Sequence, residues 1–163
     1  MKFQHSLLNE ISRSLKNTRE SISVAESVTS GYLQFSFSQM KDASEFYKGG
    51  LTAYTLEEKV NLLNVDKTEA EKVDCVSQNI ADQMAFNVAK LFNSDWGIAV
   101  TGYATPVAES QCKIFAYFTI VFKNKVIVAE KIELDDKTDA LNAQIYYAEF
   151  ILESLNKNLN TQH

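Results

Sequence analysis

The chain has 163 residues, a length that fits one ordinary domain with a hydrophobic core of its own. It contains 45% hydrophobic and 23% charged residues, and its net charge of −5 disfavours binding to a nucleic-acid backbone. The two histidines are His5 and His163, so the interior of the chain offers no imidazole base for a Ser-His-Asp or Cys-His site.

The first half of the chain alternates helical and strand patterns. Its first apolar residues recur at helical spacing, and Thr29 or Ser30 is predicted to cap the second helix. The predicted elements are a helix at about 3–17, a strand at 21–25, a helix at 32–37, a strand at 46–55 weakened by a glycine pair, and a short helix that carries Lys59.

The second half ends on a hairpin and a helix. A long helix with an apolar stripe is predicted to begin after Ser77, which caps it. The predicted elements are a helix at 77–93, a strand at 96–100, an antiparallel hairpin formed by 114–122 and 126–134, and a final helix that ends near Asn158.

Early alternation followed by a hairpin predicts an α/β fold, a mixed sheet with helices on both faces, in a single domain over 1–163. Functional groups in such sheets collect beyond the carboxyl ends of the strands. Three segments follow a predicted strand directly, namely 26–31, 54–59 and 101–106. We therefore expect the functional site there.

Ser27 lies between a strand and a helix start, where free backbone N–H groups and the helix dipole favour negative charge. A serine there can attack a carbonyl if a base accepts its proton, and without histidine the candidates are a desolvated lysine or a tyrosine relaying to one. Tyr54 and Lys59 follow the next strand. The residues alone also fit a plain structural interpretation, with capping chemistry at Ser27, an edge-strand tyrosine and a solvated lysine.

The cysteine spacing bears on metal binding, and the length of the apolar runs bears on cellular location. Cys75 and Cys112 lack C-x-x-C spacing and are predicted to be buried thiols, with no metal site. No apolar run is long enough to cross a membrane, and the first residues do not resemble a signal peptide. We expect a cytoplasmic protein whose partner is a small molecule, with no membrane or nucleic-acid partner.

Several segments carry a family resemblance. Residues 25–31, Ala-Glu-Ser-Val-Thr-Ser-Gly, resemble the A-E-S-x-T-G-G motif of the CinA C-terminal family, which includes nicotinamide mononucleotide deamidases. Residues 49–59 resemble G-G-x-x-x-Y-S-N-E-x-K, Val76-Ser77 matches the start of the family's long helix, and 97–106 resemble G-x-A-V-T-G-x-A-G-P. The resemblance extends from about residue 5 to about residue 155.

The resemblance implies a three-layer α/β/α domain with a mixed, mainly parallel sheet, in its stand-alone form. It also implies hydrolysis of the carboxamide of nicotinamide mononucleotide to nicotinate mononucleotide and ammonia, without a metal or a cofactor. Family members often self-associate, so the aromatic side chains Tyr146, Tyr147 and Phe150 are candidates for packing on the sheet or for a homodimer or higher homo-oligomer contact.

Site residues follow from the resemblance by position. Ser27 is the implied nucleophile, Lys59 its base, and Tyr54 a relay or orienting hydroxyl between them. The implied substrate-binding residues are Thr29, Ser30, Gly31, Gly50, Thr101, Gly102 and Lys137.

The chain departs from the family pattern where a phosphate would bind. Ser30 replaces a glycine, Leu56 replaces an asparagine, the 103–110 loop has no glycine and gains Glu109, and no arginine follows Arg19. Three functions therefore stay open: a nicotinamide mononucleotide deamidase, a degenerate nucleotide-binding or regulatory module without deamidase activity, and an amidase whose related substrate lacks a tightly held phosphate.

Overall fold

The computed structural model describes residues 5–161, in which a five-stranded sheet lies between two layers of helices. The helices and strands are α1 His5–Thr18, β1 Ile22–Glu26, α2 Tyr32–Ser38, β2 Tyr47–Thr52, α3 Leu56–Leu63, α4 Lys67–Lys72, α5 Gln78–Phe92, β3 Trp96–Gly102, β4 Ile114–Phe122, β5 Lys125–Leu134 and α6 Ala140–Leu159. The predicted helices and strands are present, although the predicted start of α1 at residue 3 lies outside the described residues.

The strand order in the sheet is β2-β1-β3-β4-β5. β1 runs parallel to both β2 and β3, whereas β3 to β4 and β4 to β5 are antiparallel pairs. Four of the five strands therefore point the same way, and only β4 is reversed. The mixed α/β sheet and the terminal hairpin are confirmed.

Each face of the sheet buries its own apolar cluster, which is why the fold has three layers. α1, α2 and α6 cover one face, with Ile11, Phe37 and Tyr147 fully buried in the cluster. α3, α4 and α5 cover the other face, where Leu63 and Met84 are fully buried. Tyr147 is thus a core residue, one of the two roles considered for the aromatic residues of α6.

The start of α2 differs from the prediction. The residue before the helix is Gly31, at φ 99°, and no side chain at that position caps the helix. Ser30 has φ 50°, so neither Thr29 nor Ser30 acts as the N-cap. The cap prediction is wrong because the buried carboxylate of Glu26 accepts the N–H groups of this turn instead. For α5 the predicted cap is confirmed, since Ser77 accepts the N–H of Ile80 at 3.2 Å.

The helix α4 was not predicted. It has only six residues, Lys67–Lys72, of which Ala70 alone is buried, so it lacks an apolar stripe for a periodicity to detect. Asp66 caps it by accepting the N–H of Glu69 at 2.7 Å. α4 matters because the residues that follow it form one side of the cleft described next.

Candidate active site

The carboxyl ends of β1, β2 and β3 meet at one edge of the sheet and open into a cleft of about 670 Å³. Glu26, the last residue of β1, is paired with Thr52 of β2 and Val100 of β3. The residues that follow these strands consequently emerge side by side. The start of α3 and the segments 70–76 and 101–109 complete the lining.

Ser27 and Lys59 are in direct contact in this cleft. The Nζ atom of Lys59 lies 2.9 Å from the Oγ atom of Ser27. Lys59 is only 2% exposed and Ser27 only 7% exposed, although both are polar. Lys59 reaches the strand ends because α3 begins next to them, capped by Thr55, which accepts the N–H of Glu58 at 3.3 Å.

The other partners of the Lys59 amine are backbone carbonyl groups. It donates to the oxygen of Ala53 at 2.8 Å and to that of Tyr54 at 3.4 Å. None of the ion pairs among residues 5–161 includes Lys59. Burial therefore lowers the pKa of Lys59, and the neighbouring Cys75 and Asp74 side chains oppose that shift only in part.

Glu26 holds the turn that carries Ser27. Its carboxylate is fully buried and accepts hydrogen bonds from the Thr29 hydroxyl at 2.6 Å and from the N–H groups of Gly31, Leu33 and Gln34 at 3.0, 3.0 and 2.7 Å. A carboxylate satisfies several donors at once, and the N-terminus of a helix favours its charge. We refer to Glu26, Ser27 and Lys59 as the inner wall of the cleft, in which Ser27 and Lys59 line the space and Glu26, which does not line it, holds the turn.

Two backbone donors beside Ser27 are free. Ser27 donates its own N–H to the oxygen of Val100 at 3.1 Å, and the N–H of Ser30 closes the turn on the oxygen of Ser27 at 3.1 Å. Within the described part of the chain, the N–H groups of Val28 and Thr29 make no hydrogen bond. Val28 lines the cleft, so its N–H group is available to a ligand next to Ser27, whereas Thr29 does not line the cleft.

The opposite side of the cleft is acidic and exposed. The Tyr103 hydroxyl donates to Asp74 at 2.9 Å, and Glu109 lies in the loop that follows Tyr103. Burial, reinforced by the hydrogen bond to Asp74, raises the pKa of Tyr103, so the phenol stays protonated. We refer to Asp74, Tyr103 and Glu109 as the outer wall.

Some of the other predicted site residues also line the cleft. Thr101 and Gly102 do so at the end of β3, and the buried Thr101 hydroxyl donates to the oxygen of Cys75 at 2.8 Å. Tyr54 lines the cleft as well, but it is 66% exposed. Its hydroxyl makes no hydrogen bond to a described residue, so the relay between Ser27 and Lys59 implied by the resemblance is not formed.

The remaining predicted binding residues lie outside the cleft lining. The Thr29 hydroxyl is bound to Glu26, which leaves only its backbone N–H available, and Ser30 points to solvent. Gly50 is a packing residue, because a Cβ atom there would lie 2.6 Å from the backbone oxygen of Val24. Lys137 is exposed in the turn before α6. Gly31 instead provides the left-handed backbone conformation that starts α2.

Asp74 and Tyr103 line the cleft but were not among the site residues predicted from the sequence. Asp74 and Cys75 both have a positive φ, 49° and 62°, and no sequence pattern indicates such an irregular turn. Cys75 is buried, as predicted. The same prediction for Cys112 is wrong, because this residue lies in an exposed turn after the outer wall.

Within residues 5–161, no three side chains of His, Cys, Asp or Glu are grouped closely enough to hold a metal ion. Within the same range, none of the helices combines the length and the apolar character needed to cross a membrane.

Comparison with known proteins is consistent with this architecture. The model of the family described as CinA C-terminal domain matches residues 4–159. A CinA-like protein from Gloeothece citriformis is 31% identical over 158 residues, which are 96% of this chain and 38% of that protein. A CinA-like protein from Prochlorococcus marinus is 43% identical over 100 residues, 61% of this chain and 24% of that protein. The chain thus spans less than two fifths of the length of these relatives.

Solved structures show the same fold at lower identity. A competence-damaged protein (CinA) superfamily protein from Klebsiella pneumoniae superimposes with a TM-score of 0.89 at 22% identity, over 98% of this chain and 99% of that one. A competence/damage inducible protein from Agrobacterium tumefaciens gives a TM-score of 0.87 at 23% identity, over 96% and 94% of the two chains.

Proposed function

The chain belongs to the CinA C-terminal domain family, and from this premise we propose that its cleft is the active site of a serine–lysine amidohydrolase. The reacting group is the carboxamide of nicotinamide mononucleotide, the substrate that the family resemblance implies. Water and this amide give nicotinate mononucleotide and ammonia. A cleft of about 670 Å³ is large enough for a ligand of that size.

The contact between Ser27 and Lys59 carries the proposal. A protonated lysine cannot act as a base, and burial without an ion-pair partner favours the neutral amine. A neutral amine has two N–H groups and one lone pair. The oxygens of Ala53 and Tyr54 can only accept, so they take the two N–H groups and leave the lone pair to accept the Ser27 hydroxyl.

The chemistry then follows from these positions. Ser27 Oγ attacks the carboxamide carbon while its proton moves to Lys59 Nζ, and the negative charge goes to the former carbonyl oxygen. The free N–H group of Val28, which lines the cleft beside Ser27, is the donor available to stabilise that oxyanion. When the intermediate collapses, Lys59 returns the proton to the nitrogen, the C–N bond breaks, and ammonia leaves an acyl ester on Ser27.

The second half of the reaction uses the same residues. A water molecule gives a proton to the neutral Lys59 and attacks the ester carbon, and the C–Oγ bond breaks. The proton returns from Lys59 to Ser27, the carboxylic acid ionises, and the pyridine carboxylate leaves. The net reaction consumes one water and restores both side chains to their starting state.

A direct test is the release of ammonia from nicotinamide mononucleotide by the wild-type chain and by Ser27→Ala. We expect kcat to fall by at least about 10³-fold in Ser27→Ala, since the nucleophile is removed. Ser38→Ala, at an exposed serine at the end of α2, is the matched control and should keep wild-type turnover. Full activity in Ser27→Ala would remove this residue as the nucleophile.

The same experiment distinguishes the deamidase from a nucleotide-binding or regulatory module without deamidase activity. If the wild type releases no ammonia from the nucleotide but the nucleotide raises its Tm, the cleft binds this nucleotide without hydrolysing it and the assignment of a nucleotide deamidase fails. If the nucleotide neither reacts nor changes the Tm, the substrate assignment fails as well.

A further inference from the structure

The charges that line the cleft are unusual for a site that takes a phosphorylated substrate. Its carboxylates are Glu71, Asp74 and Glu109, and Lys59 is the one lysine or arginine that lines it among the described residues. Glu71 lies 3.8 Å from Lys67 in an exposed ion pair. Neither Asp74 nor Glu109 takes part in an ion pair within residues 5–161.

Lys59 is not free to bind a phosphate. Its amine is nearly fully buried and is bound to Ser27 and to the oxygens of Ala53 and Tyr54. A phosphate ion-paired to it would favour the protonated amine and remove the base on which the proposed mechanism depends. Lys137, the other candidate cation, does not line the cleft.

The outer wall instead suits a cationic ring. Asp74 lines the same cleft as Lys59 and Tyr103, and it accepts the hydrogen bond of the Tyr103 hydroxyl at 2.9 Å. The half-buried ring of Tyr103 lines the cleft and is held from both sides, by the hydrogen bond to Asp74 and by edge contact with Phe115 at a centroid distance of 5.3 Å. An aromatic ring beside a carboxylate is a favourable environment for a pyridinium cation.

We infer that the cleft selects a ribosylated pyridinium carboxamide that carries no phosphate, such as nicotinamide riboside, over the corresponding nucleotide. This inference rests on the proposed serine–lysine amidohydrolase chemistry, and it makes the riboside, rather than the nucleotide that the family resemblance implies, the preferred substrate of the same site. The riboside bears one positive charge that the outer wall attracts. The nucleotide adds a phosphate of nearly two negative charges, which Asp74 and Glu109 repel.

The test compares kcat/KM for nicotinamide riboside and nicotinamide mononucleotide at low ionic strength. We expect the riboside to be preferred by at least about tenfold, because each unit charge pair at close range in water changes binding by about fivefold. Added salt should reduce the preference, since the carboxylates of the outer wall are exposed.

Substitutions at Glu109 test whether the outer wall causes the preference for the riboside in kcat/KM. Glu109→Gln should narrow the ratio by about threefold to fivefold, and Glu109→Lys should bring it close to unity or reverse it. Glu130→Gln is the matched control, because Glu130 is an exposed glutamate on β5 outside the cleft lining. An equal or higher kcat/KM for the nucleotide, unchanged in Glu109→Lys, would overturn the inference and leave the hydrolase proposal standing.

Binding to Ser27→Ala separates the two proposals. Calorimetry on this variant should give a lower Kd for the riboside than for the nucleotide, whether or not the wild type turns either over. A lower Kd of Ser27→Ala for the riboside, together with no ammonia release from either compound by the wild type, would support the charge selection and contradict the hydrolase proposal. A lower Kd of Ser27→Ala for the nucleotide than for the riboside would contradict the charge selection, whether or not the wild type hydrolyses either compound.

Discussion

The two walls of the cleft are built on opposite principles. In the inner wall, Glu26 and Lys59 are almost completely buried, and their polar atoms are bonded to the turn and to backbone carbonyls. In the outer wall, Asp74 and Glu109 are exposed carboxylates without a cationic partner among the described residues. Burial changes what a group can do chemically, whereas exposed charge changes which ligand arrives. The inner wall therefore accounts for reactivity and the outer wall for selection.

Two lysines show how strongly the surroundings decide. Lys16 on α1 is bonded to Asp42 at the surface, and this hydrogen bond raises its pKa. Lys59 is buried without a carboxylate partner, and burial lowers its pKa. The same side chain is thus held as a cation in one place and driven towards a neutral base in the other.

The largest effect is expected from replacing the base itself. Lys59→Met keeps the length and much of the apolar volume of the side chain but removes the amine. We expect ammonia release to fall by at least about 10³-fold for every carboxamide substrate, because Ser27 loses its proton acceptor. Steady-state kinetics on the nucleotide and the riboside measures it.

Lys16→Met is the matched control for this substitution. It removes a lysine from a surface ion pair and should leave kcat unchanged. If Lys59→Met and Lys16→Met both keep wild-type turnover, the inner wall does not account for the reactivity.

A smaller but still large effect is expected for Glu26→Gln. The side-chain amide cannot accept all four hydrogen bonds, and its NH₂ group faces N–H donors of the turn. We expect a loss of about 1–3 kcal/mol in the free energy of unfolding and a fall of about 10–100-fold in kcat with little change in KM. Chemical denaturation and steady-state kinetics measure the two quantities.

The separate effects of Glu26→Gln on kcat and KM distinguish a role of Glu26 in positioning Ser27 from a role in folding alone. A purely structural role for Glu26 would lower the Tm and the active fraction without changing kcat per active site, which titration of the acyl-enzyme burst determines. That outcome would leave the inner wall with only two functional members, Ser27 and Lys59.

A moderate effect is expected on pH dependence. Because the neutral amine is the base, kcat/KM should rise with pH through the lowered pKa of Lys59 and then level off below the ordinary lysine range. Asp74 opposes the lowering of that pKa, so Asp74→Asn should move the midpoint further to lower pH. Glu130→Gln should not move it. If the midpoint of the pH dependence of kcat/KM rises in Asp74→Asn, Asp74 does not oppose the lowering of the Lys59 pKa.

The lowered pKa also gives a stability signature that does not need activity. Between the folded and the unfolded pKa of Lys59, the unfolded chain binds more protons, so the free energy of unfolding rises with pH in this window. The stabilising contribution of Lys59 to the free energy of unfolding is fully present above its unfolded pKa, and it is lost as pH falls through its folded pKa. Denaturation curves across the alkaline range should show this slope in the wild type and lose it in Lys59→Met.

The smallest effect is expected for Tyr54→Phe. The side chain is exposed and its hydroxyl bonds to neither Ser27 nor Lys59, while the backbone oxygen that Lys59 contacts is unaffected by the substitution. We expect kcat to change by less than about threefold. A loss of a hundredfold or more, measured under saturating substrate, would mean that Tyr54 closes onto the site when substrate binds.

Much of the fold follows from local patterns. The stripe of α5, its Ser77 cap and the hairpin β4–β5 were predictable because period and turn chemistry act over a few residues. The start of α2 was not, since a carboxylate from the preceding strand replaces the usual cap and a sequence window does not show which donors it meets. α4 was too short to produce a period.

The site divides in the same way. Ser27 and Lys59 were predicted through their motifs and through the position of both at the ends of parallel strands, and the structure brings their polar atoms to 2.9 Å. Gly50 and Lys137 were predicted as binding residues but do not line the cleft, because the direction of a side chain depends on its packing. Asp74 was missed because an irregular turn places it there.

The sequence by itself determined the order of helices and strands and the available chemistry. With histidine absent from the interior, a lysine or a tyrosine is what remains to activate a serine. Only the tertiary structure decided that Lys59 is buried without a counter-ion and that the facing wall is acidic. The reason is physical: a pKa and an electrostatic preference depend on desolvation and on distances between groups far apart in the chain, which no local pattern encodes.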